Sequence, residues 1–135
     1  MKTIIIEWRH LDQSGDTCDR CSDTGSALRQ MIAAMQQACP QNGYLVQFVE
    51  VKLPPSQVHQ SNSIFVNGVP VEHRLQGARA SKSSCGSCSD LIGKPTACRT
   101  IEFRGAKHEV IPAELVYAAA CMEVGCDCGL RFGKN

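Results

Sequence analysis

The first apolar segment, Thr3-Ile4-Ile5-Ile6-Glu7-Trp8, has no polar alternation before Glu7 and is rich in β-branched residues. That pattern predicts a strand over residues 3–8 buried on both faces of a parallel sheet. A polar, turn-rich stretch from Asp12 to Thr17 follows, and then the period changes. Leu28, Met31, Ile32, Met35 and Cys39 recur at i, i+3, i+4, i+7 and i+11, the stripe of an amphipathic helix. Ser22 or Asp23 can cap its start, and Pro40 with Gly43 ends it. Tyr44 to Leu53 is rich in Val, Leu, Tyr and Phe and reads as a second strand, stopped by Pro54-Pro55. Strand, helix and strand make a βαβ unit with parallel strands.

Beyond a short helical or irregular stretch at 57–60, Ser63 to Val66 and Val69 to Val71 flank Asn67-Gly68. Asn-Gly between apolar arms is a strong hairpin signal, because a type I′ turn needs positive φ at both central positions. Pro70 lacks a ladder donor and assigns its arm to a sheet edge. Thr100 to Phe103, turning at Arg104-Gly105 and returning from His108 to Ile111, reads as a second hairpin. Pro112 then opens a helix carrying Leu115, Ala118, Ala119 and Met122 as its apolar stripe. Leu75 to Cys98 has no periodicity and many serines, so it is expected to be an irregular insertion tied down by its cysteines. The expected organisation is an α/β domain over 1–121, with a sheet of about four strands and a cysteine-bearing insertion at about 75–98. A tail with Cys126 and Cys128 occupies 122–135, its order depending on whether those thiols are ligated.

Composition narrows the function. Lys and Arg number 14 against 13 Asp and Glu, for a net charge of +1, which is not the basic footprint that phosphate backbones require. No apolar run approaches the roughly 20 residues of a membrane span, and no signal-peptide pattern stands at the start. Nucleic acid and membrane partners are therefore not expected, and the cytoplasm is the expected compartment.

Cysteine is the unusual feature: nine in 135 residues, with the spacing Cys18-x2-Cys21, Cys39, Cys85-x2-Cys88-x9-Cys98, Cys121 and Cys126-x-Cys128. In a reducing compartment such usage points to thiol chemistry or metal binding. A CxxC pair where a strand hands over to a helix lets helix N–H groups stabilise the first thiolate, while the second cysteine resolves a mixed disulfide. Cys18 and Cys21 are thus candidate catalytic residues acting on a protein or small-molecule disulfide, and His10 can approach them. Cys85, Cys88 and Cys98 supply three of the four ligands of a closed zinc site, the fourth left open among His73, His108, Cys121, Cys126 and Cys128. Cys126 and Cys128 suit a soft metal or metalloid ion, so the rival to redox catalysis is a thiolate binding module for zinc or such an ion. Cys39 extends the helix stripe and reads as buried filler. Phosphate loops, Ser-His-Asp arrangements and paired catalytic carboxylates have no counterpart in the sequence.

CxxC after the first strand and the later Ile-Phe-Val-Asn-Gly hairpin resemble the thioredoxin and glutaredoxin superfamily. More closely, Ile6-Glu7-Trp8-Arg9-His10-Leu11-Asp12, Thr17-Cys18-Asp19-Arg20-Cys21 and Asn62-Ser63-Ile64-Phe65-Val66-Asn67-Gly68-Val69-Pro70 resemble the prokaryotic family called domain of unknown function 2703. The similarity continues through Cys85-Gly86-Ser87-Cys88, Cys98-Arg99 and Ile111-Pro112. It implies a thioredoxin-like fold, with Cys18 matching the nucleophilic position and Cys21 the resolving one. Thioredoxins carry a cis-proline before the hairpin strand, whereas this chain has Ser61-Asn62-Ser63. Asn62 and Ser63 would therefore put hydrogen-bonding groups beside the thiols as candidate substrate-binding residues.

Overall fold

A computed structural model describes residues 2–12, 15, 19–75 and 77–124, excluding the side chains of residues 19, 20, 98, 123 and 124. The first strand, β1 (Lys2–Leu11), is longer than the apolar run that announces it and is central in a four-stranded sheet. The helix α1 (Asp19–Ala38) follows, then a short 3-10 helix over Cys39–Asn42 and the strand β2 (Tyr44–Leu53). β1 and β2 run parallel, in register from Lys2↔Tyr44 to Leu11↔Leu53, as a βαβ unit requires. A second 3-10 helix, Pro55–Gln60, delivers the chain to β3 (Ser63–Val66), antiparallel to β1, and a tight turn leads to the edge strand β4 (Val69–Pro70). The sheet order is β2-β1-β3-β4.

The hairpin turn behaves as its sequence dictates. Asn67 and Gly68 take φ of 49° and 82°, the paired positive values of a type I′ turn. Asn67 also joins the hairpin to the central strand: its Oδ1 accepts from Ile5 N at 2.7 Å and its N–H donates to Ile5 O at 2.8 Å.

β1 departs from the expected burial on both faces. Ile4, Ile6, Trp8 and His10 are buried, but Ile5 on the opposite face is 38% exposed, as are Leu45 at 45% and Val49 at 40% in β2. The helices cover one face of this sheet, where Ile4, Ile6, Trp8, Ile64 and Val66 meet Leu28, Met31, Ile32 and Met35 of α1. β-branched residues therefore fill both faces of β1 although only one is covered. The cap expected at Ser22 or Asp23 is also displaced, because α1 already starts at Asp19 and takes Cys21 into its first turn.

The expected irregular insertion is instead regular. A short helix α2 (Val71–Arg74) precedes the strand β5 (Ala78–Ser84), the helix α3 (Gly86–Ile92) and the strand β6 (Ala97–Phe103). β6 turns at Arg104-Gly105, with φ of 52° and 82°, into β7 (Ala106–His108). These strands form a second, antiparallel sheet of order β5-β6-β7. β5 reads ARASKSS, without a hydrophobic alternation to reveal it, and is held by its ladder to β6 and by a Ser81–Thr100 hydroxyl pair at 2.6 Å. The returning arm of this hairpin ends at His108, short of the expected Ile111.

The last described helix, α4 (Ala113–Val124), buries Ala119 of the expected stripe together with Val116 and Ala120, while Leu115, Ala118 and Met122 are less covered. Leu115, Ala118 and Met122 line an apolar cleft of about 430 Å3 with Leu75 and Phe103, and Met122 is 63% exposed. α4 is apolar nearly all round, so periodicity alone cannot choose its inner face.

α1 comes close to the sheet at Gly25, where a Cβ would lie 2.3 Å from Cη2 of Trp8. Trp8 is 1% exposed and has nowhere to retreat. Gly25→Ala should therefore destabilise the fold by about 1–3 kcal/mol despite alanine's better helix propensity. Urea unfolding followed by the fluorescence of Trp8, the only tryptophan, checks this, and an unchanged or raised midpoint would contradict it.

Candidate functional site

Two elements form the candidate site at the C-terminal end of β1: the first turn of α1, and the segment 61–63 between the second 3-10 helix and β3. Cys21 is fully buried in that turn, with its Sγ 3.2 Å from Ser61 Oγ. Ser61 Oγ also accepts from Leu11 N at 2.9 Å, and the Ser61 carbonyl accepts from Arg99 N at 3.2 Å. One serine thus joins the end of β1, the first turn of α1 and β6. Cys18, the expected nucleophile, lies outside the described residues.

Asn62 is almost fully buried. Its backbone takes φ of 64°, a left-handed value that asparagine tolerates better than most residues, and its N–H donates to Arg9 O at 3.0 Å. Its side chain points into the protein, with Oδ1 accepting from Trp8 Nε1 and Nδ2 donating to Thr24 Oγ1, both at 3.0 Å. Thr24 Oγ1 in turn accepts from Ile111 N at 3.2 Å. This buried chain of hydrogen bonds fixes the 61–63 segment against β1, α1 and the start of α4. Leaving one of its buried polar groups unpaired would cost about 1–3 kcal/mol. Ser63 donates to Gln60 O at 2.8 Å and lines a cleft of about 270 Å3 with Phe65, Pro70, Glu72 and Arg99. Inside that cleft Arg99 Nη2 pairs with Glu72 Oε2 at 2.7 Å. On the same face of the sheet Arg9 pairs with Glu7 and stacks over Phe65, 4.3 Å from the ring centroid.

His10 is buried beside the site rather than on its surface. Its ring stacks on Trp8 at 3.9 Å, and its nitrogens face the Leu11 carbonyl oxygen at 3.0 Å and Glu50 Oε2 at 2.6 Å. Arg29 Nη2 approaches the other oxygen of Glu50 at 3.1 Å.

The second cysteine cluster is split by what is described. Cys85 caps α3 and its Sγ accepts from Cys88 N at 3.3 Å. Both residues are buried and, like Cys21 and Cys121, carry thiols. Cys98 belongs to β6, its side chain outside the described set, and Cys126 and Cys128 also lie outside it. Among the described residues no three His, Cys, Asp or Glu side chains converge in a group able to hold a metal ion. Cys39 is buried as expected but is not mere filler, because its sulfur is part of a disulfide.

Continuity links the two CxxC pairs. Cys85 N donates to Thr96 O at 2.9 Å, β6 continues from there to Arg99, and Arg99 N reaches the Ser61 carbonyl beside Cys21. Cys21, Cys85 and Cys88 all belong to one buried cluster, and α3 packs on α1. Ser61, Thr24 and Gly25 are the positions that sequence reasoning passed over. Ser61 alone carried a signal, as it stands just before Asn62 in the segment that replaces the usual proline.

The family model described as domain of unknown function (DUF2703) matches residues 4–120. The chain belongs to this family. It is also 32% identical over 117 residues to an uncharacterized protein of Archaeoglobus fulgidus, covering 84% of this chain and 82% of that protein. No solved structure matches it. This DUF2703 member has no described helix long and apolar enough to cross a membrane.

Glu50 offers a test of the site's electrostatics. Partial burial pushes its carboxyl up, but hydrogen bonds and charge attraction from His10 and Arg29 outweigh this and hold it below its ordinary 4.5. A carboxyl depressed by folding contributes stability above its unfolded value, and that stability is lost as pH falls through the folded value. Glu50→Gln should therefore be less stable than the parent at neutral pH, with the gap closing below about pH 4.5. Denaturant unfolding from pH 7 to pH 3 reads the difference, and a gap independent of pH would refute the assignment.

Proposed function

We propose that this protein is a thioredoxin-like thiol-disulfide redox protein in which Cys18 attacks and Cys21 resolves. The observation that carries the reading is the sealed thiol of Cys21 in the first turn of α1, hydrogen-bonded to Ser61. A resolving cysteine needs protection from outside disulfides and a neighbour able to support its charge, and Ser61 meets the second need. The parallel β1-α1-β2 unit, the antiparallel hairpin and the helix α4 on one sheet support the fold assignment.

The chemistry balances as two exchanges. The Cys18 thiolate attacks one sulfur of a protein or small-molecule disulfide, forming a mixed disulfide and expelling the other substrate sulfur as a thiolate. The Cys21 thiolate then attacks the Cys18 sulfur, expels the second substrate thiolate and leaves a Cys18–Cys21 disulfide. The substrate gains two electrons and the protein loses two, so an external dithiol reductant must restore the pair. Four cysteines held as thiols suit a reducing compartment, and the cytoplasm is our proposed location.

With insulin as the disulfide substrate and dithiothreitol as reductant, Cys18→Ser should lower the rate of insulin reduction to the slow rate seen without the protein, with circular dichroism unchanged. Cys21→Ser should instead accumulate the mixed disulfide on Cys18, visible by mass. Unchanged turnover in Cys18→Ser would overturn the reading.

A second reading, binding of zinc or a soft ion, is favoured at the other pair by one observation. The backbone N–H of Cys88 donates to Cys85 Sγ, which places both cysteines in one buried turn at the start of α3. Their chemistry fits a thiolate site completed by Cys98 and a fourth donor, and zinc there would tie α3 to β6. Native mass spectra of protein purified without chelator should then show one zinc, lost in Cys85→Ser and Cys88→Ser. A metal-free protein whose Cys85 and Cys88 react stoichiometrically with a thiol reagent would exclude this reading.

A further inference from the structure

Side chains from both sheets line the cleft of about 270 Å3. Ser63 and Phe65 come from β3, Pro70 from β4, Glu72 from α2 and Arg99 from β6. Ser63 and Phe65 stand two residues apart in one strand and so share a face of it. The volume lies below the roughly 300–1,000 Å3 of sites for drug-sized molecules, so the cleft suits a smaller ligand.

The cleft holds a charge pair that is only partly used. Arg99 Nη2 donates to Glu72 Oε2 at 2.7 Å, which takes one N–H of a guanidinium fork and one oxygen of a carboxylate. Neither side chain makes another hydrogen bond among the described residues. Glu72 is only 6% exposed, so a carboxylate with spare accepting capacity stands inside the cleft. Burying an ionised carboxylate on a single hydrogen bond is costly, and a ligand's donors would offset that cost. Ser63 adds to the accepting side. Its one hydroxyl hydrogen goes to Gln60 O at 2.8 Å, so toward a ligand Ser63 Oγ can only accept.

The cleft therefore presents a donor fork and a set of acceptors side by side, with opposite charge. A lone anion on Arg99 would be repelled by Glu72, and a lone cation on Glu72 would be repelled by Arg99. A ligand with both charges on neighbouring atoms meets each with its opposite. In an α-amino acid the ammonium nitrogen and the carboxylate carbon are two bonds apart, about 2.5 Å, close to the 2.7 Å of the Arg99–Glu72 contact. Zwitterions with longer spacers do not match that spacing. A unit inside a peptide does not match it either, because its nitrogen and carbonyl belong to neutral amides. The remaining substituent of the α-carbon meets the apolar surface of Phe65 and Pro70.

We propose that this cleft binds a free α-amino acid with an apolar side chain, its carboxylate on the unused fork of Arg99 and its ammonium group on Glu72 and Ser63. The Arg99 fork suits a carboxylate because two parallel N–H donors match its two oxygens. Ser61, whose carbonyl accepts from Arg99 N at 3.2 Å, also touches Cys21, so the cleft and the buried thiol share one support. Binding itself does not depend on the redox chemistry proposed for Cys18 and Cys21.

L-Leucine titrated into the full-length protein in a calorimeter should bind at a single site, and the backbone amide NMR signals of Ser63, Phe65 and Arg99 should shift over the same concentration range. Isocaproate, which lacks the ammonium group, and isoamylamine, which lacks the carboxylate, should each bind at least about tenfold more weakly. The double variant Glu72→Gln/Arg99→Gln keeps the shape of the cleft and leaves no charge without its partner. Its affinity for leucine should fall at least about tenfold, with circular dichroism unchanged. Absence of leucine binding to the parent protein at tens of millimolar would overturn the proposal. So would equal affinity for either analogue, or unchanged leucine affinity in the folded double variant. The analogues are compared on the parent protein alone, so that comparison decides the matter even where the variant does not fold.

Discussion

The site depends on how the Trp8 indole is held. Its six-membered ring, at Cη2, Cζ3 and Cζ2, meets Gly25 so closely that no side chain fits there, and the His10 ring stacks on it. The indole N–H has a single donor function, and Asn62 accepts it. Asn62 can do so because its backbone adopts a left-handed conformation that aims the side chain inward. The same side chain binds Thr24, which holds the start of α4. Moving Trp8 would therefore shift α1, the 61–63 segment and α4 together. Those are the elements that surround Cys21.

Much of the first sheet was legible in the sequence because its signals are local. Apolar stripes, Pro54-Pro55 and Asn67-Gly68 each carry their own physical reason, and the βαβ unit with its hairpin follows from them. The second sheet was hidden because β5 is built from Ala, Ser, Arg and Lys, and its strand character comes from pairing with β6 rather than from periodicity. The inner face of α4 was misjudged for a related reason. A helix apolar on nearly every side reveals its orientation only when its neighbours are known.

The cysteines divide along the same line. Their spacing exposed two CxxC pairs but not what each pair touches. Ser61 illustrates the gap: its place before Asn62 marks the segment, but not that one hydroxyl will meet both a strand amide and a buried thiol. Cys39 shows the converse, since its place in an apolar stripe was read correctly while its bonding was not. Long-range partners are set by topology, and topology depends here on a sheet that left little trace in the sequence.

Full burial of Cys21 and Cys88 also bears on chemical ageing. Peroxides carry thiols from sulfenic to sulfinic and sulfonic acids, and the later steps are not reversed by ordinary thiols. Each step needs the oxidant to reach sulfur, and sulfurs sealed among Trp8, Leu28 and the other core residues lie beyond that reach. Damage of this kind must therefore begin elsewhere, and the core retains intact sulfur for as long as it remains folded.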